Sequence, residues 1–317
     1  GIDLRKHCSK DFLTYVLPFK YDPEAERPLW NNFLNKVLPD VTKQRVLAEY
    51  IAYLFVNTLK LEKVLLLFGE GANGKSVFYE VINALLGSEN ITNYSLENLT
   101  DNTGYYRASI AGKLLNYASE ISIRVNPTIF KQMASGETIE GRQPYGEPLK
   151  IEEYAKLIFN CNALPRATET THAFFRRFLI IDFDQTIPEN EQDKQLSRKI
   201  IDNELSGVLN WVLEGLQILL RQGGFTYSKA IEMTLKTYKN DADDVRRFFN
   251  DEGYVKSESS FVWLGDLYKS FRIFCHNEGY VNIISKQTFS KRIKNIGIIT
   301  KKGNEGMKVL IEKRKIS

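Results

Sequence analysis

Residues 64–76 have the sequence Val-Leu-Leu-Leu-Phe-Gly-Glu-Gly-Ala-Asn-Gly-Lys-Ser, and this stretch decides the fold. The apolar run 64–68 has the length of a buried strand, and residues 77–86 have the apolar spacing of a helix that ends before Gly87. Between them, residues 69–76 match the pattern GxxxxGK[ST]. This order predicts a phosphate-binding loop, because its backbone N–H groups can surround an anion at a helix N-terminus. A plain glycine turn is the alternative interpretation.

The residue types of the loop indicate which ligand it would hold. The Lys75 amino group would contact the β- and γ-phosphate oxygens of a nucleotide, and the Ser76 hydroxyl would bind Mg²⁺. ATP and Mg²⁺ are therefore the predicted cofactors. The predicted nucleotide-binding residues are Gly69, Gly71, Asn73, Gly74, Lys75, Ser76 and Val77.

Three further apolar runs of strand length follow the loop, at 114–118, 157–160 and 178–183. Because glycine turns and helical stretches separate them, we expect an α/β fold with a parallel sheet and crossover helices. Helical spacing precedes the sheet and returns at 193–220. The pattern predicts three domains: a small helical domain at 1–60, the phosphate-loop core at 61–222 and a C-terminal domain at 223–317.

Nucleotide hydrolysis needs an acid, a group that positions water and a cation for the charge that develops on the γ-phosphate. Glu120 closes the strand-like segment 113–120 and is the predicted general base or metal-shell acid, with a solvated acid at a strand end as the alternative. Asn162 stands before the turn at Pro165, where its amide can orient the attacking water or simply shape the turn.

Arg176 and Arg177 open the apolar run 178–183, where charged side chains are costly unless they have anionic partners. One of the two is predicted to act as an arginine finger, and Arg177 is the candidate. An intrachain salt bridge is the alternative.

The order of these motifs resembles that of the superfamily 3 helicases, and within them the helicase part of phage, plasmid and poxvirus-type primase-helicases. The resemblance extends over nearly all of the 317 residues. It rests on five segments in this order: GEGANGKS at 69–76, KLLNYASE at 113–120, FKQMASGETIEGR at 130–142, FNCNALP at 159–165 and FFRRFLIIDF at 174–183.

The resemblance implies an AAA+-type core that forms a ring, expected to be a hexamer, and moves along single-stranded DNA with ATP sites between subunits. The phosphate-loop roles then fall to Lys75 and Ser76, that of the acid to Glu120 and that of the sensor to Asn162. Arg177 corresponds to the finger that the neighbouring subunit supplies, which a closed head-to-tail ring makes geometrically sensible.

Three further expectations come from the same resemblance. A primase or polymerase domain would precede this segment in the full-length protein. The source would be a phage, a plasmid or a virus, and the protein would act in the cytoplasm of a host cell, expected to be bacterial. Ser119 departs from the family, since many of these motors carry Asp there, so the Mg²⁺ shell would rely on Ser76, Glu120 and water.

Residues 141–150, Gly-Arg-Gln-Pro-Tyr-Gly-Glu-Pro-Leu-Lys, have the Pro and Gly spacing of a hairpin. In the resembled family this hairpin lines the channel of the ring and holds the backbone of a single strand. Arg142 and Lys150 would pair with phosphates, and Tyr145 would stack on a base. The tip at Gly146-Glu147 is less basic than is usual in the family, and a surface hairpin of mixed charge is the alternative.

The C-terminal segment 285–317 carries a net charge of +8, although the whole chain carries only +4. Phe289 and Ile293 have helical spacing and a hairpin follows them, which is the order of a winged helix. Duplex or forked DNA is the expected ligand, with a solvated basic face or a protein-docking surface as the alternative. The predicted DNA-binding residues of this segment are Lys286, Lys291, Arg292, Lys294, Lys301 and Lys302.

Composition excludes several classes of protein. A chain of 317 residues with 43% hydrophobic and 26% charged residues is ordinary for a globular protein, which excludes disorder and collagen-like repeats. Cys8, Cys161 and Cys275 are too far apart for a local disulfide framework or a CxxC metal site, which favours an intracellular setting. No apolar run reaches the roughly 18 residues of a membrane span, so no membrane partner is expected. Because the chain begins at Gly1, we expect a piece of a longer protein.

Three other functions compete with a DNA helicase. DNA synthesis by this chain would need paired carboxylates for two metals, and the Asp182 and Asp184 pair more simply ends a strand. A DNA-binding regulator could hydrolyse ATP without moving along DNA. An RNA motor would differ only in the strand that it follows.

Overall fold

A computed structural model of the protein describes residues 5–6, 8–11, 13–118, 125–164, 171–278 and 283–314. The chain divides into two compact units, Gly1–Leu235 and Lys236–Ser317. The division into three domains stays a prediction. Within the described ranges, no helix combines the length and the apolar character needed to cross a membrane.

The first unit consists of helices alternating with strands. In chain order, its elements are α1 (Pro28–Val37), α2 (Val41–Tyr53), β1 (Val64–Phe68), α3 (Lys75–Leu86), β2 (Ile91–Thr92), α4 (Leu96–Leu99), α5 (Tyr105–Ser109), β3 (Leu115–Ala118), α6 (Pro127–Ser135), β4 (Ile139–Arg142), β5 (Pro148–Ile151), β6 (Lys156–Cys161), α7 (His172–Phe175), β7 (Phe178–Asp182), α8 (Leu196–Gln222) and α9 (Lys229–Asp241), the last of which crosses the division between the units.

Five of these strands form a sheet in the order β2-β3-β6-β1-β7, and every neighbouring pair is parallel. This sheet confirms the predicted α/β fold. Strand β1 is apolar throughout, as expected for a strand that neighbours cover on both edges and helices cover on both faces. Because all strands run the same way, their carboxyl ends share one edge of the sheet and their amino ends share the other.

Helix α8, with 27 residues, packs against the two N-terminal helices. Glycine permits this close approach at two points: a methyl group at Gly207 would lie 2.2 Å from the carbonyl oxygen of Glu26, and one at Gly215 would lie 2.7 Å from the carbonyl carbon of Ala48. Helices α1 and α2 therefore belong to the same hydrophobic core as β1 and α3.

Strands β4 and β5 pair as the predicted antiparallel hairpin, with Arg142 opposite Pro148. Helix α5 packs against β4, and the backbone N–H of Arg142 donates to the carbonyl oxygen of Gly104 at 3.0 Å. The base of the hairpin is therefore fixed to the first unit, while its tip extends from it.

The second unit has its own hydrophobic core. Its elements are α10 (Asp244–Asp251), β8 (Tyr254–Lys256), β9 (Val262–Trp263), α11 (Leu264–Asn277), α12 (Lys286–Asn295), β10 (Thr300–Gly303), β11 (Gly306–Val309) and β12 (Ile311–Lys313). The predicted helix followed by a hairpin is found in α12, β10 and β11. Strand β9 adds a third strand to this hairpin, in the order β10-β11-β9.

Candidate functional site

The loop between β1 and α3 adopts a backbone that requires glycine at two positions. Gly71 and Gly74 have φ angles of 121° and 85°, in the left-handed region that side chains disfavour. Gly74 also lies against α1, since a methyl group there would be 2.6 Å from Cγ1 of Val37. The loop therefore ends at the N-terminus of α3, with the free N–H groups that can bind an anion.

The Lys75 side chain folds back over this loop. Its Nζ donates to the carbonyl oxygen of Gly69 at 2.6 Å and to Oδ1 of Asn73 at 3.0 Å. Asn73 is buried, and its Nδ2 donates to the carbonyl oxygen of Phe183 at 3.2 Å, which ties the loop to the end of β7. Burial lowers the pKa of Lys75. A phosphate would give this amino group a charged acceptor in place of two neutral ones.

A cavity of about 610 Å³ opens beside the loop, and all the predicted nucleotide-binding residues except Gly69 line it together with the predicted sensor, Asn162. Asn162 follows β6 at the carboxyl edge of the sheet. Asn160, within β6, also lines the cavity, and its Oδ1 accepts a hydrogen bond from the hydroxyl of Tyr117 at 2.9 Å.

The other wall of the cavity was not predicted. It comes from α1 and from the segment before α8, and an ion pair of 2.7 Å between Lys36 and Glu191 links these two elements. No local pattern marks these residues, because they lie more than 30 positions before the loop or more than 100 after it. The wall residues include Leu29, Asn32, Phe33, Lys36, Ile187, Glu191, Gln192 and Leu196.

The predicted acid, Glu120, and its neighbour Ser119 lie outside the described residues. Among the residues that are described, no group of three or more His, Cys, Asp or Glu side chains could hold a metal ion. Ser76 lines the cavity beside Lys75, and a hydroxyl at this position of the loop is what Mg²⁺ bound to a nucleotide would need. The roles of Ser76 and Glu120 at a metal stay predictions.

The two arginines lie at the opposite edge of the sheet from the loop. The backbone N–H of Val64, which begins β1, donates to the carbonyl oxygen of Arg177 at 2.8 Å, whereas Gly69 follows the other end of β1. A five-residue strand is about 16 Å long. Neither guanidinium therefore belongs to the cavity lined by Lys75 of the same chain.

The two arginines differ in exposure but share one anionic partner. Arg177 is buried, and its guanidinium donates to the Ser135 hydroxyl and to the carbonyl oxygen of Ala173. The Arg176 side chain is 45% exposed and pairs with the carboxylate of Glu62, and Nη2 of Arg177 lies 3.9 Å from Oε2 of the same residue. An intrachain ion pair is therefore present at both arginines, more closely at Arg176.

Asp182 and Asp184, the carboxylate pair considered for a two-metal site, lie beside a lysine amino group. Nζ of Lys43, which is buried, lies 2.9 Å from Oδ2 of Asp182 and 3.8 Å from Oδ2 of Asp184. The hydroxyl of Thr234 donates to the other oxygen of Asp182 at 3.0 Å. The two carboxylates thus pair with the Lys43 amino group, and together with Thr234 these contacts join α2, β7 and α9.

The tip of the β4–β5 hairpin presents Tyr145. This side chain is fully exposed, and its residue has a φ of 61°, a left-handed conformation that is rare for an aromatic residue. Nε of Arg142 donates to the carbonyl oxygen of Gly146 at 3.2 Å, and Lys150 is exposed on β5. An exposed ring between two basic side chains is a surface that single-stranded nucleic acid can bind.

In the second unit, one predicted DNA-binding residue has another partner. Nη1 of Arg292 lies 2.5 Å from Oδ1 of Asp244, and both side chains are mostly buried. Burial raises the pKa of Asp244, and the Arg292 guanidinium opposes that rise. The other predicted residues, Lys286, Lys291, Lys294, Lys301 and Lys302, are exposed.

Two family profiles match the chain. That of a family of unknown function (DUF5906) matches residues 67–177, which include the loop, the hairpin and the arginine pair. That of the Poxvirus D5 protein-like family matches residues 240–315, most of the second unit.

Two viral relatives extend the similarity along the chain. "Putative helicase L207/L206" of Acanthamoeba polyphaga mimivirus is 24% identical over 84% of this chain, and "Putative helicase 121R" of Invertebrate iridescent virus 3 is 22% identical over 93%. The chain spans only 31% and 36% of the lengths of these two relatives.

Solved structures of the NrS-1 C-terminal region have a similar fold. The A-form apo structure has a TM-score of 0.53 and 16% identity, and covers 93% of this chain and 77% of that one. A second apo structure, of residues 305–718, has a TM-score of 0.52 and 13% identity with the same coverage. Together with the family profiles and the viral relatives, these neighbours confirm the resemblance that the order of motifs indicates.

Proposed function

Because the chain is similar to superfamily 3 helicases of the primase-helicase type, we propose that it is the ATP-dependent DNA helicase part of a longer replication protein. It moves along single-stranded DNA as a ring, with ATP and Mg²⁺ bound at the glycine loop. The observation that carries this proposal is the cavity of about 610 Å³ that Lys75, Ser76 and Asn162 line together at the carboxyl edge of the sheet.

In this proposal the loop holds the phosphates and Asn162 orients the attacking water. Backbone N–H groups at the start of α3 and the Lys75 amino group bind the β- and γ-phosphates. The Ser76 hydroxyl and Glu120 hold Mg²⁺, which neutralises charge on the phosphate oxygens. The apolar part of the wall, which includes Leu29 and Phe33, would accept the base of the nucleotide.

The position of the arginine pair supports the proposed ring. Since Arg176 and Arg177 lie about 16 Å from the loop of their own chain, a guanidinium can reach a γ-phosphate only in a neighbouring subunit. A head-to-tail contact that closes gives every subunit one such neighbour. The hexamer and the identity of the finger, Arg177 by the motif, belong to this proposal.

DNA is proposed to bind at two surfaces. The hairpin residues Arg142, Tyr145 and Lys150 hold a single strand, through phosphate pairing and base stacking. The exposed lysines of α12 and β10 bind the phosphates of a fork or duplex.

Three measurements on one preparation test this function. We expect single-stranded DNA to stimulate ATP hydrolysis, a forked duplex to be unwound, and the mass to rise to that of a ring with an ATP analogue and DNA. Lys75→Ala should abolish the first two. The matched control is Lys113→Ala, since Lys113 does not line this cavity and its Nζ donates to the carbonyl oxygen of Glu89. DNA-stimulated hydrolysis without unwinding would indicate the regulator, and unwinding only along an RNA strand would indicate the RNA motor.

A further inference from the structure

Two aromatic rings and one lysine form a cluster on the outer face of the β10-β11-β9 sheet. The rings of Phe261 and Trp263 are 5.2 Å apart between centroids and nearly perpendicular. Nζ of Lys308 lies 4.1 Å from the centroid of Phe261 and 5.4 Å from that of Trp263. We call Phe261, Trp263 and Lys308 the aromatic platform.

The pairing of the strands determines which side chains share this face. Trp263 is directly opposite Lys308, and Lys308 is directly opposite Lys301, so that these three side chains lie in one row. Gly303 leaves space for the row, because a methyl group there would be 3.1 Å from the Trp263 ring and 2.8 Å from Cε of Lys308. Val309, one residue along β11, points to the other face and is fully buried.

The face is positively charged and partly apolar, and it remains open to solvent. Lys301 and Lys308 lie opposite each other, which is unfavourable for two like charges. Among the described residues, neither amino group has a carboxylate within ion-pair distance. Phe261 is 41% exposed although the Lys308 amino group covers one side of its ring. A purely structural contact between a cation and a ring would not require this exposure.

A groove of about 310 Å³ next to Trp263 has the opposite character. Lys286 lines it, but so do Asp266 and Glu305, so the acids offset the single cation. An anionic backbone would therefore run along Lys301 and Lys308 and avoid the groove.

We propose that the aromatic platform is a stacking site for unpaired bases of single-stranded DNA, with Lys301 and Lys308 on the flanking phosphates. Base stacking on an exposed aromatic ring, beside basic side chains that follow the backbone, is how proteins bind single strands without sequence preference. A duplex conceals the faces of its bases, so the phosphates of an intact duplex can contact Lys301, but its bases cannot stack on the rings of the platform. The inference deepens the proposed function, because it takes DNA as the partner.

Tryptophan fluorescence of the full chain, without nucleotide, tests the proposal. The chain has three tryptophans, and Trp30 and Trp211 are buried in the core of the first unit, so Trp263 is the one that DNA can quench. We expect a single-stranded thymidine oligonucleotide to quench the emission saturably. Phe261→Ala should weaken this quenching transition about tenfold, and Phe261→Tyr should restore it.

Charge variants and a duplex complete the test. Lys301→Ala should lower the slope of log affinity against log salt by about 0.7, the value for one single-strand phosphate contact, whereas the charge-matched Arg272→Ala on α11 should leave it unchanged. A blunt duplex of equal length should not quench. The proposal is overturned if saturating single strand leaves the emission unchanged, if Phe261→Ala behaves as wild type, or if the duplex quenches equally.

The same preparations separate this inference from the proposed function. If a fork is unwound but the emission does not change with single-stranded DNA, the platform is wrong and the helicase stands. If the emission is quenched as expected but nothing is unwound, the platform stands and the helicase is wrong.

Discussion

The Arg177 guanidinium donates to the hydroxyl of Ser135 from two nitrogens, Nη2 at 2.8 Å and Nε at 3.2 Å. Ser135 ends α6, and only residues 136–138 separate it from β4 of the hairpin. An arginine that serves a neighbouring nucleotide would have to leave this hydroxyl. The Arg177–Ser135 contact thus connects the arginine proposed to act on the nucleotide of the next subunit with the helix that leads into the proposed DNA-binding hairpin.

The two arginines should respond differently to truncation. Arg177→Ala should abolish ATP hydrolysis while ATP binding survives, since a lost finger costs about 10³ to 10⁵ in rate. It should also lower the free energy of unfolding by about 1–3 kcal/mol, because buried acceptors lose their donor. Arg176→Ala, at the surface, should cost about 1 kcal/mol or less.

Mixing experiments decide whether the finger acts between subunits. Inactive Arg177→Ala subunits, added to wild type, should lower activity by more than dilution, because each mixed ring loses sites at its junctions. If activity falls only in proportion to the wild-type fraction, the action between subunits is wrong. Arg177→Lys is the control for charge, since lysine keeps the positive charge but lacks the planar pair of donor nitrogens of the guanidinium.

Ser135→Ala tests the contact itself. It removes the acceptor but not the guanidinium, so we expect ATP hydrolysis to be retained and its stimulation by single-stranded DNA to fall. The stimulated and unstimulated rates of one preparation measure this. Equal stimulation in variant and wild type would mean that the contact only stabilises the fold.

Local patterns were enough to predict four of the five strands of the parallel sheet, and the two-residue strand β2 was not predicted. Strand β1 was predicted at 64–68 and is found there, because five apolar residues before a glycine loop have few other structures available. The hairpin predicted within 141–150 is found in strands that extend from 139 to 151, and the predicted helical spacing of Phe289 and Ile293 is found in α12. In each case the information lies within a few residues.

Contacts between distant residues could not be predicted in this way. The pairing of Lys43 with Asp182 joins residues 139 positions apart, and Arg177 meets Ser135 across 42 positions. The cavity wall from α1 depends on how that helix packs against the loop, which no periodicity encodes. Strand β9 has only two residues, too few for an alternation to be visible, although it carries Trp263.

Another contact between residues distant in sequence stabilises the start of α1. Arg27, at the N-cap, makes no capping hydrogen bond, and Glu204 of α8 accepts instead from the backbone N–H groups of Leu29 and Trp30, each at 2.9 Å. Glu204→Ala should lower the free energy of unfolding by about 2–4 kcal/mol, because two buried donors lose a charged acceptor. Glu214→Ala, which breaks an exposed pair with Arg27 from the same helix, should cost about 1 kcal/mol or less in the same denaturant titration.

The buried carboxylate of Glu49 makes stability depend on pH. Burial raises its pKa, although the backbone N–H and hydroxyl of Thr226 both donate to it and oppose the rise. A carboxyl with a raised folded pKa stabilises most at low pH, and its contribution falls as pH rises through that pKa. Glu49→Gln removes this titration. The melting temperature of wild type minus that of Glu49→Gln should therefore fall as the pH rises above about 4.5, the ordinary pKa of Glu, and a constant difference would contradict the raised pKa.

The hairpin tip combines strain with full exposure, which a residue without a function at the surface would not need. Tyr145 has a φ of 61°, so Tyr145→Gly should keep or slightly raise the melting temperature, because glycine adopts this conformation without strain. The same change should weaken single-stranded DNA binding by about 5- to 100-fold, the loss of one stacked base.

Two further variants distinguish the contribution of the aromatic face of Tyr145 to DNA binding from those of its apolar bulk and of its hydroxyl. Tyr145→Phe keeps the π face and should bind single-stranded DNA as wild type does, whereas Tyr145→Leu keeps apolar bulk and should bind as weakly as Tyr145→Gly. Anisotropy of a labelled oligonucleotide measures all three at one salt concentration, since phosphate contacts depend on salt. Because the Tyr145 side chain is fully exposed, weaker binding with an unchanged melting temperature would be a loss at the surface. Equal binding by the leucine variant would exclude stacking.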